Sequence, residues 1–294
     1  MIRIFILSAA ATCAAPLAAL AQDTVPADLA ERMAQAREAE ATSRMMLDVQ
    51  QVSAIAQRQY AGMTGGEFGS EYRGAVAFPG DTLGVWNVTI VAARGEGTQA
   101  PLVALAEYEI AQGEILGEII HDSADAPPLT GPALPMARAK YVAPRAVIAS
   151  PAAGYCLDGE PAAEGVTHSV SYTPLVLPPQ EDGSLEVYVL NGPIVEGAVP
   201  LGKHYRVSFD EFGQVGEPEI VTDTCEVVTW DAQDGDLPTS VYVTEHPTGV
   251  APSAVHTFLS AQLPMSMGVV TGDLVWPMTD GLIAPPVPAE EAGF

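Results

Sequence analysis

Residues 27–61 contain neither glycine nor proline, whereas all 27 glycines and all but two of the 25 prolines lie after that run. Glycine and proline punctuate backbone structure more strongly than any other residues. The chain is therefore expected to begin with one long helical segment and to continue as many short elements. The segment 26–60 is rich in Ala, Glu, Gln, Met and Arg, all good helix formers. Pro26 suits a first helical turn and Thr24 can cap it. Leu29, Met33, Ala36, Met45, Val49, Val52 and Ala56 form a thin apolar stripe, with a weak point at Thr42-Ser43 where the helix could divide. The run "GMTGGEFGSEYRG" then ends it with five glycines.

The texture beyond is that of strands. Residues 85–93, "VWNVTIVAA", are β-rich. Residues 102–110 and 114–120 are expected to form a hairpin turning at Gln112-Gly113. Residues 136–150 suit a short helix or a strand, and Pro144 interrupts either. Further strands are expected at 166–172, 185–190, 227–230 and 240–244, with a last hairpin over 269–276. In "HYRVSF" alternation sends Tyr205, Val207 and Phe209 to one face and His204, Arg206 and Ser208 to the other. A turn at Gly213 returns the chain near residues 219–221. Ser253 caps a short helix carrying Val255, Phe258 and Leu259, which Pro264 ends. The pattern predicts an α+β fold: an antiparallel, β-rich body with an N-terminal helix and a short helix near the C-terminus. The expected division is a helical segment at 22–60, a β-rich module at 61–150, a disulfide-linked β-rich module at 151–284, and a disordered tail at 285–294.

The first residues point to export. Arg3 precedes an apolar stretch too short to cross a bilayer, and Ala19-Leu20-Ala21 has the small-x-small form of a signal peptidase site. Cleavage after Ala21 would deliver a periplasmic or secreted protein. That leaves Cys156 and Cys225, and two cysteines in an oxidising compartment suggest one disulfide. It would close a loop of about 70 residues, for which loop-closure entropy gives about 4 kcal/mol. Without C-x-x-C, a thioredoxin-like redox role is disfavoured.

The formal net charge is −25, and from Val207 onward there are fourteen Asp and Glu and no Lys or Arg. Such a surface repels phosphate backbones and anionic headgroups, so nucleic acid and anionic membrane are poor partners. Cations, basic peptides and neutral molecules suit it. No later run is apolar enough for a membrane-spanning helix.

Complete catalytic motifs are missing from the sequence. There is no H-E-x-x-H, no G-x-S-x-G and no cysteine ligand set. Lys140 and Lys203 are the only lysines, which disfavours Schiff-base and P-loop chemistry. Asp231, Asp234 and Asp236 surround Gly235 without the spacing of an EF-hand loop. Trp86, Trp230 and Trp276 lie on expected strands, where core packing explains them. Tyr188 and Tyr242 each sit between two valines, so each could line a groove if the valines face the core. The one constellation with metal-site chemistry is His204, His246 and His256. If they met, they could hold zinc with an open position, and Glu245 would be a nearby base.

Cys156, "PLVLPP", "VYVL", "LGKHYRVSFDEFGQV", Cys225, "EHPTGVAPSAVHTFLS" and a terminal hairpin with Trp276 together resemble a family of secreted proteobacterial proteins with no attached activity. The resemblance covers roughly the last half of the chain. That family shows a Gly-Gly-His-Tyr-Arg run and a Pro-x-x-x-His before an aromatic helix. Here Lys203 replaces the second glycine, while His204, Tyr205, Arg206, Pro252 and His256 are kept. The resemblance implies a shared fold and a Cys156–Cys225 pair, and no activity. The expected function is a non-enzymatic binding or envelope-associated scaffold that meets an envelope protein or small ligand, with no cofactor. A zinc-dependent hydrolase using the three histidines is the alternative.

Overall fold

A computed structural model of the chain describes residues 27–66, 68–95, 100–151, 171–192, 194–230 and 241–293. The expected leader sequence at 1–21, Cys156, His168, residues 231–236 and the first part of the strand expected at 166–172 lie outside the described residues. The fold is α+β and β-rich.

Helix α1 (Ala27–Met63) is a single helix of 37 residues. Thr42-Ser43 does not divide it, and Ser43 is wholly buried within it. Its inward face is Ala36, Ala39, Met46, Val49, Val52 and Ala56. These side chains are mostly small, so the helix contributes its surface to a core built largely by other elements. A meander of four antiparallel strands follows: β1 (Tyr72–Pro79), β2 (Val85–Ala93), β3 (Leu102–Ala111) and β4 (Glu114–Ile120), hydrogen-bonded in that order. The β3–β4 turn has φ of 53° at Gln112 and 82° at Gly113, the left-handed pair that a two-residue hairpin loop demands. Strand β1 was not expected from the sequence.

Helix α2 (Ala133–Ala149) keeps Pro144 in its interior. Proline there removes the N–H that would have bonded the Lys140 carbonyl. Burial of Ala133, Met136, Ala137, Ala139, Ala143 and Val147 on one face holds the helix despite that loss. Next come β5 (Ser171–Val176), β6 (Leu185–Gly192), β7 (Ala198–Pro200), β8 (His204–Phe209), β9 (Glu219–Thr222) and β10 (Val227–Thr229). Strands β5-β6-β8-β9 form a second four-stranded antiparallel sheet, and β7 pairs with β10.

The C-terminal unit comprises β11 (Tyr242–Glu245), α3 (Ala254–Ser260), β12 (Met267–Thr271), β13 (Leu274–Thr279), β14 (Leu282–Ile283), β15 (Val287–Pro288) and α4 (Ala289–Ala292). Strands β11 and β12 are parallel, joined through α3, which departs from the otherwise antiparallel plan. The tail expected to be disordered is instead docked: Val287 pairs with Val275, and Pro288 with Leu274.

Two cores result. One gathers α1, α3, the α1-facing side of β1–β3, Tyr188 and Leu190 of β6, and Trp276 of β13. The other lies under α2 and joins Val76 and Val91 to Val187, Val189, Tyr205, Val207 and Phe209. Both cores take residues from both sides of position 150, so the module boundary expected there runs through packed interior. No helix among the described residues is long and apolar enough to cross a membrane.

The helix α1 is tied to the far end of the chain through Arg32. Its Nε donates to the Val250 carbonyl at 2.8 Å, one Nη to Asp273 at 2.9 Å, and the other to the Thr271 carbonyl at 2.7 Å. Trp276 Nε1 donates to Thr271 Oγ1 at 2.8 Å, and that hydroxyl donates on to Val250 O.

Candidate functional site

Strand β8 buries one face along its length, while the other is covered only at the His204 end, Arg206 being partly exposed and Ser208 exposed. Tyr205, Val207 and Phe209 enter the core under α2. His204 points oppositely and is 0% exposed. Its Nδ1 accepts the Asn191 N–H at 2.9 Å, and its Nε2 lies 3.0 Å from the Pro200 carbonyl. An amide can only donate and a carbonyl can only accept, so the proton sits on Nε2 and the ring is neutral. Burial pushes the His204 pKa down to about 4, opposed by the bond to Pro200. Two glycine-type constraints shape the approach to this strand. A Cβ on Gly202 would lie 1.7 Å from the Thr224 carbonyl oxygen. Lys203 takes a φ of 58°, a region that favours glycine.

His256 stands in the first turn of α3, the third helical residue. Ser253 caps that helix, its Oγ accepting the His256 N–H at 3.4 Å, while His256 Nδ1 receives the Ser253 N–H at 3.2 Å and faces Ser253 Oγ at 2.8 Å. This is a capping box with histidine where Glu or Gln is usual. The ring is 1% exposed, and burial, then His246 and His204, hold its pKa well below the ordinary value.

His246 follows β11, anchored by its N–H to the Val270 carbonyl at 2.8 Å. Its ring centroid is 4.8 Å from that of His256, tilted by 57°. Gly249 lets it sit there, since a Cβ at that position would lie 2.1 Å from His246 Nε2. His246 is 8% exposed, its side chain has no hydrogen-bond partner among the described residues, and burial lowers its pKa.

The structure therefore brings His246 and His256 together and leaves His204 close enough to affect His256 electrostatically. His204 has both ring nitrogens committed to the backbone. No group of three or more His, Cys, Asp or Glu side chains among the described residues is arranged to hold a metal ion. Glu245 is exposed and, by strand alternation, turned away from His246. Cys225 lies between β9 and β10, and its expected partner Cys156 is outside the described residues.

His246 opens onto a cleft of about 610 Å³ between α1, the second sheet and the loop leading to α3. Gln35, Glu38 and Thr42 line it from α1, Tyr188, Arg206 and Glu219 from the sheet, and Thr248 and Ser253 from the loop. Tyr188 thus lines a groove while its flanking valines face the core under α2. Arg206 is already engaged, 2.5 Å from Glu219 and 3.6 Å from Glu186. Burial raises the Tyr188 pKa to about 12, helped by Glu186 and opposed by Arg206, so it stays a phenol. The sequence signalled Tyr188 and His246, through alternation and rarity. It gave no signal for Gln35 and Glu38, which reach the cleft from a helix far upstream of the sheet in sequence. Comparison with protein-family models, curated proteins and solved structures gave no match to this chain.

Proposed function

We propose that this is an exported, non-enzymatic binding protein of the cell envelope that holds a positively charged polar ligand, such as a basic peptide segment or an amine, in the His246 cleft. The observation that carries the reading is the His246 imidazole, nine-tenths buried, unpartnered among the described residues and on the wall of a polar cleft. With no side-chain partner of its own, the ring can hydrogen-bond a ligand that enters the cleft. The cleft's acidic balance favours a cation: Glu38 and Glu219 line it with one arginine, which Glu219 and Glu186 already engage, and the whole chain carries −25. The leader sequence, the Cys156–Cys225 pairing and the resemblance to secreted proteobacterial proteins belong to the same proposal.

A non-catalytic role is favoured because the candidate acid–base groups have other work. His204 bridges two backbone segments, His256 caps α3, and Glu245 faces away. The test is a thermal-shift titration with a lysine- and arginine-rich peptide and with spermidine. A rise in Tm that His246→Ala abolishes supports the proposal, and identical behaviour of wild type and variant overturns it. The zinc hydrolase is the second reading, and the 4.8 Å approach of two imidazoles is what favours it. Metal analysis of protein purified without a tag or chelator separates the two. One equivalent of zinc, lost in His246→Ala, would select the hydrolase.

A further inference from the structure

A second cavity, of about 230 Å³, lies toward the other end of α1. Val49, Ser53 and Ala54 of α1, Ala75 of β1, Leu175 of β5 and Lys140 of α2 are among its lining residues. Most of that surface is aliphatic, and Lys140 is its only charge. The Lys140 ammonium donates to the Ala75 carbonyl at 2.6 Å, on the edge strand of the first sheet. An ammonium has three donors, and the other two have no partner among the described residues. Lys140 also has no carboxylate partner there, in a chain with 37 acidic and 12 basic residues. Arg32, Arg37, Arg44, Lys203 and Arg206 each have one. As a residue Lys140 is partly exposed, yet its ammonium is deep enough that burial lowers its pKa to about 8. It therefore carries its charge at neutral pH, where an uncompensated buried cation is expensive.

We propose that this cavity binds a small monocarboxylate with an aliphatic tail, its carboxylate paired with the Lys140 ammonium. One cation calls for one negative charge, and a dianion would bring a second, unpaired charge into an aliphatic setting. Water occupies about 30 Å³ in the liquid, so the space suits a molecule of about eight non-hydrogen atoms, the size of hexanoate. The site is separate from the His246 cleft, so either can fail without the other.

The experiment is calorimetric titration of the full chain with hexanoate and with 1-hexanol. Hexanoate should bind with a Kd below about 1 mM. Hexanol, which keeps the tail and loses the charge, should bind about 10–100-fold more weakly. Lys140→Met should weaken hexanoate by a similar factor and leave hexanol unchanged. Ala54→Phe keeps the lysine and fills the cavity, so it should remove hexanoate binding even if Lys140→Met fails to fold. Absence of hexanoate binding to the wild type, equal binding by wild type and Lys140→Met, or full binding by Ala54→Phe would each overturn the proposal and leave Lys140 as a cap on the β1 edge.

Discussion

Acidification should destabilise this protein well above the pH at which carboxylates titrate, and His204 sets the size of the effect. Its pKa is 6.5 in an unfolded chain and about 4 in the fold. The folded state therefore favours the neutral ring. Above pH 6.5 neither state binds the proton and the stabilisation is complete. As pH falls, the unfolded chain takes up the proton first, so stability drops until pH passes the folded value near 4. Each pH unit in that window removes about 1.4 kcal/mol per histidine. His204 alone removes about 2 kcal/mol between pH 6.5 and 5, and about 3 kcal/mol by pH 4. His256, whose pKa burial, His246 and His204 hold well below its ordinary value, adds to the loss in the same direction. Ordinary carboxylates titrate near 4, so relief of the chain's acidic self-repulsion enters mainly below this window. The assay is urea unfolding at pH 7, 6 and 5 at constant ionic strength. The wild type should lose at least about 2 kcal/mol between pH 6.5 and 5, a sizeable share of a typical domain's reserve. His204→Gln cannot titrate, while its amide can still reach the Pro200 carbonyl. It should start about 1–3 kcal/mol less stable at pH 7 and show a shallower slope than the wild type. Equal slopes for the two proteins, or a wild type of constant stability from pH 7 to 5, would refute the argument.

Gly202→Ala should cost several kcal/mol or prevent folding, because its Cβ would meet the Thr224 carbonyl oxygen at 1.7 Å and that oxygen belongs to backbone; urea midpoints against Gly62→Ala, whose surroundings are open and whose backbone is helical, provide the comparison. Arg32→Ala should lose about 2–3 kcal/mol through the orphaned carbonyls of Val250 and Thr271. Arg32→Lys should recover less than half of that, since an ammonium cannot reproduce the guanidinium fork. Intact mass before and after thiol alkylation should show Cys156 and Cys225 blocked together, and reduction should lower stability by about 4 kcal/mol. Two alkylatable thiols in the untreated protein would remove the pair from the proposed architecture.

What the sequence made legible was local. The β3–β4 hairpin followed from a Gln-Gly turn between alternating runs, and α3 from Ser253 with its apolar spacing. Faces along β8 followed from alternation. Three things did not follow. β1 was missed because "YRGAVAFP" has a glycine, a proline and small residues, and it is a strand mainly because β2 pairs with it. The proline-rich tail looked unable to pack, yet only two residues need to pair with β13 to dock it. Alternation places His204 opposite Tyr205 but does not say that the opposite face is covered at that end too. That depends on α1 and α3 closing over the sheet, which no local window contains. Histidine proximity failed in the same way: the spacing of His204, His246 and His256 carried no information about which ring nitrogens the backbone would claim. Lys140 stood out in the sequence only for the scarcity of lysine, since the missing carboxylate is a fact of three-dimensional neighbours.

The Arg32 connection to Asp273 spans 241 positions. At about 5–20 residues per second, a ribosome needs about 12–50 s to deliver the second partner after the first. Throughout that interval α1 has no C-terminal hairpin to dock against, although the face of β1–β3 that it also covers is already made. The Arg32 end of the helix that comes first in the chain is thus fixed last, and it stays undocked until the final strands arrive.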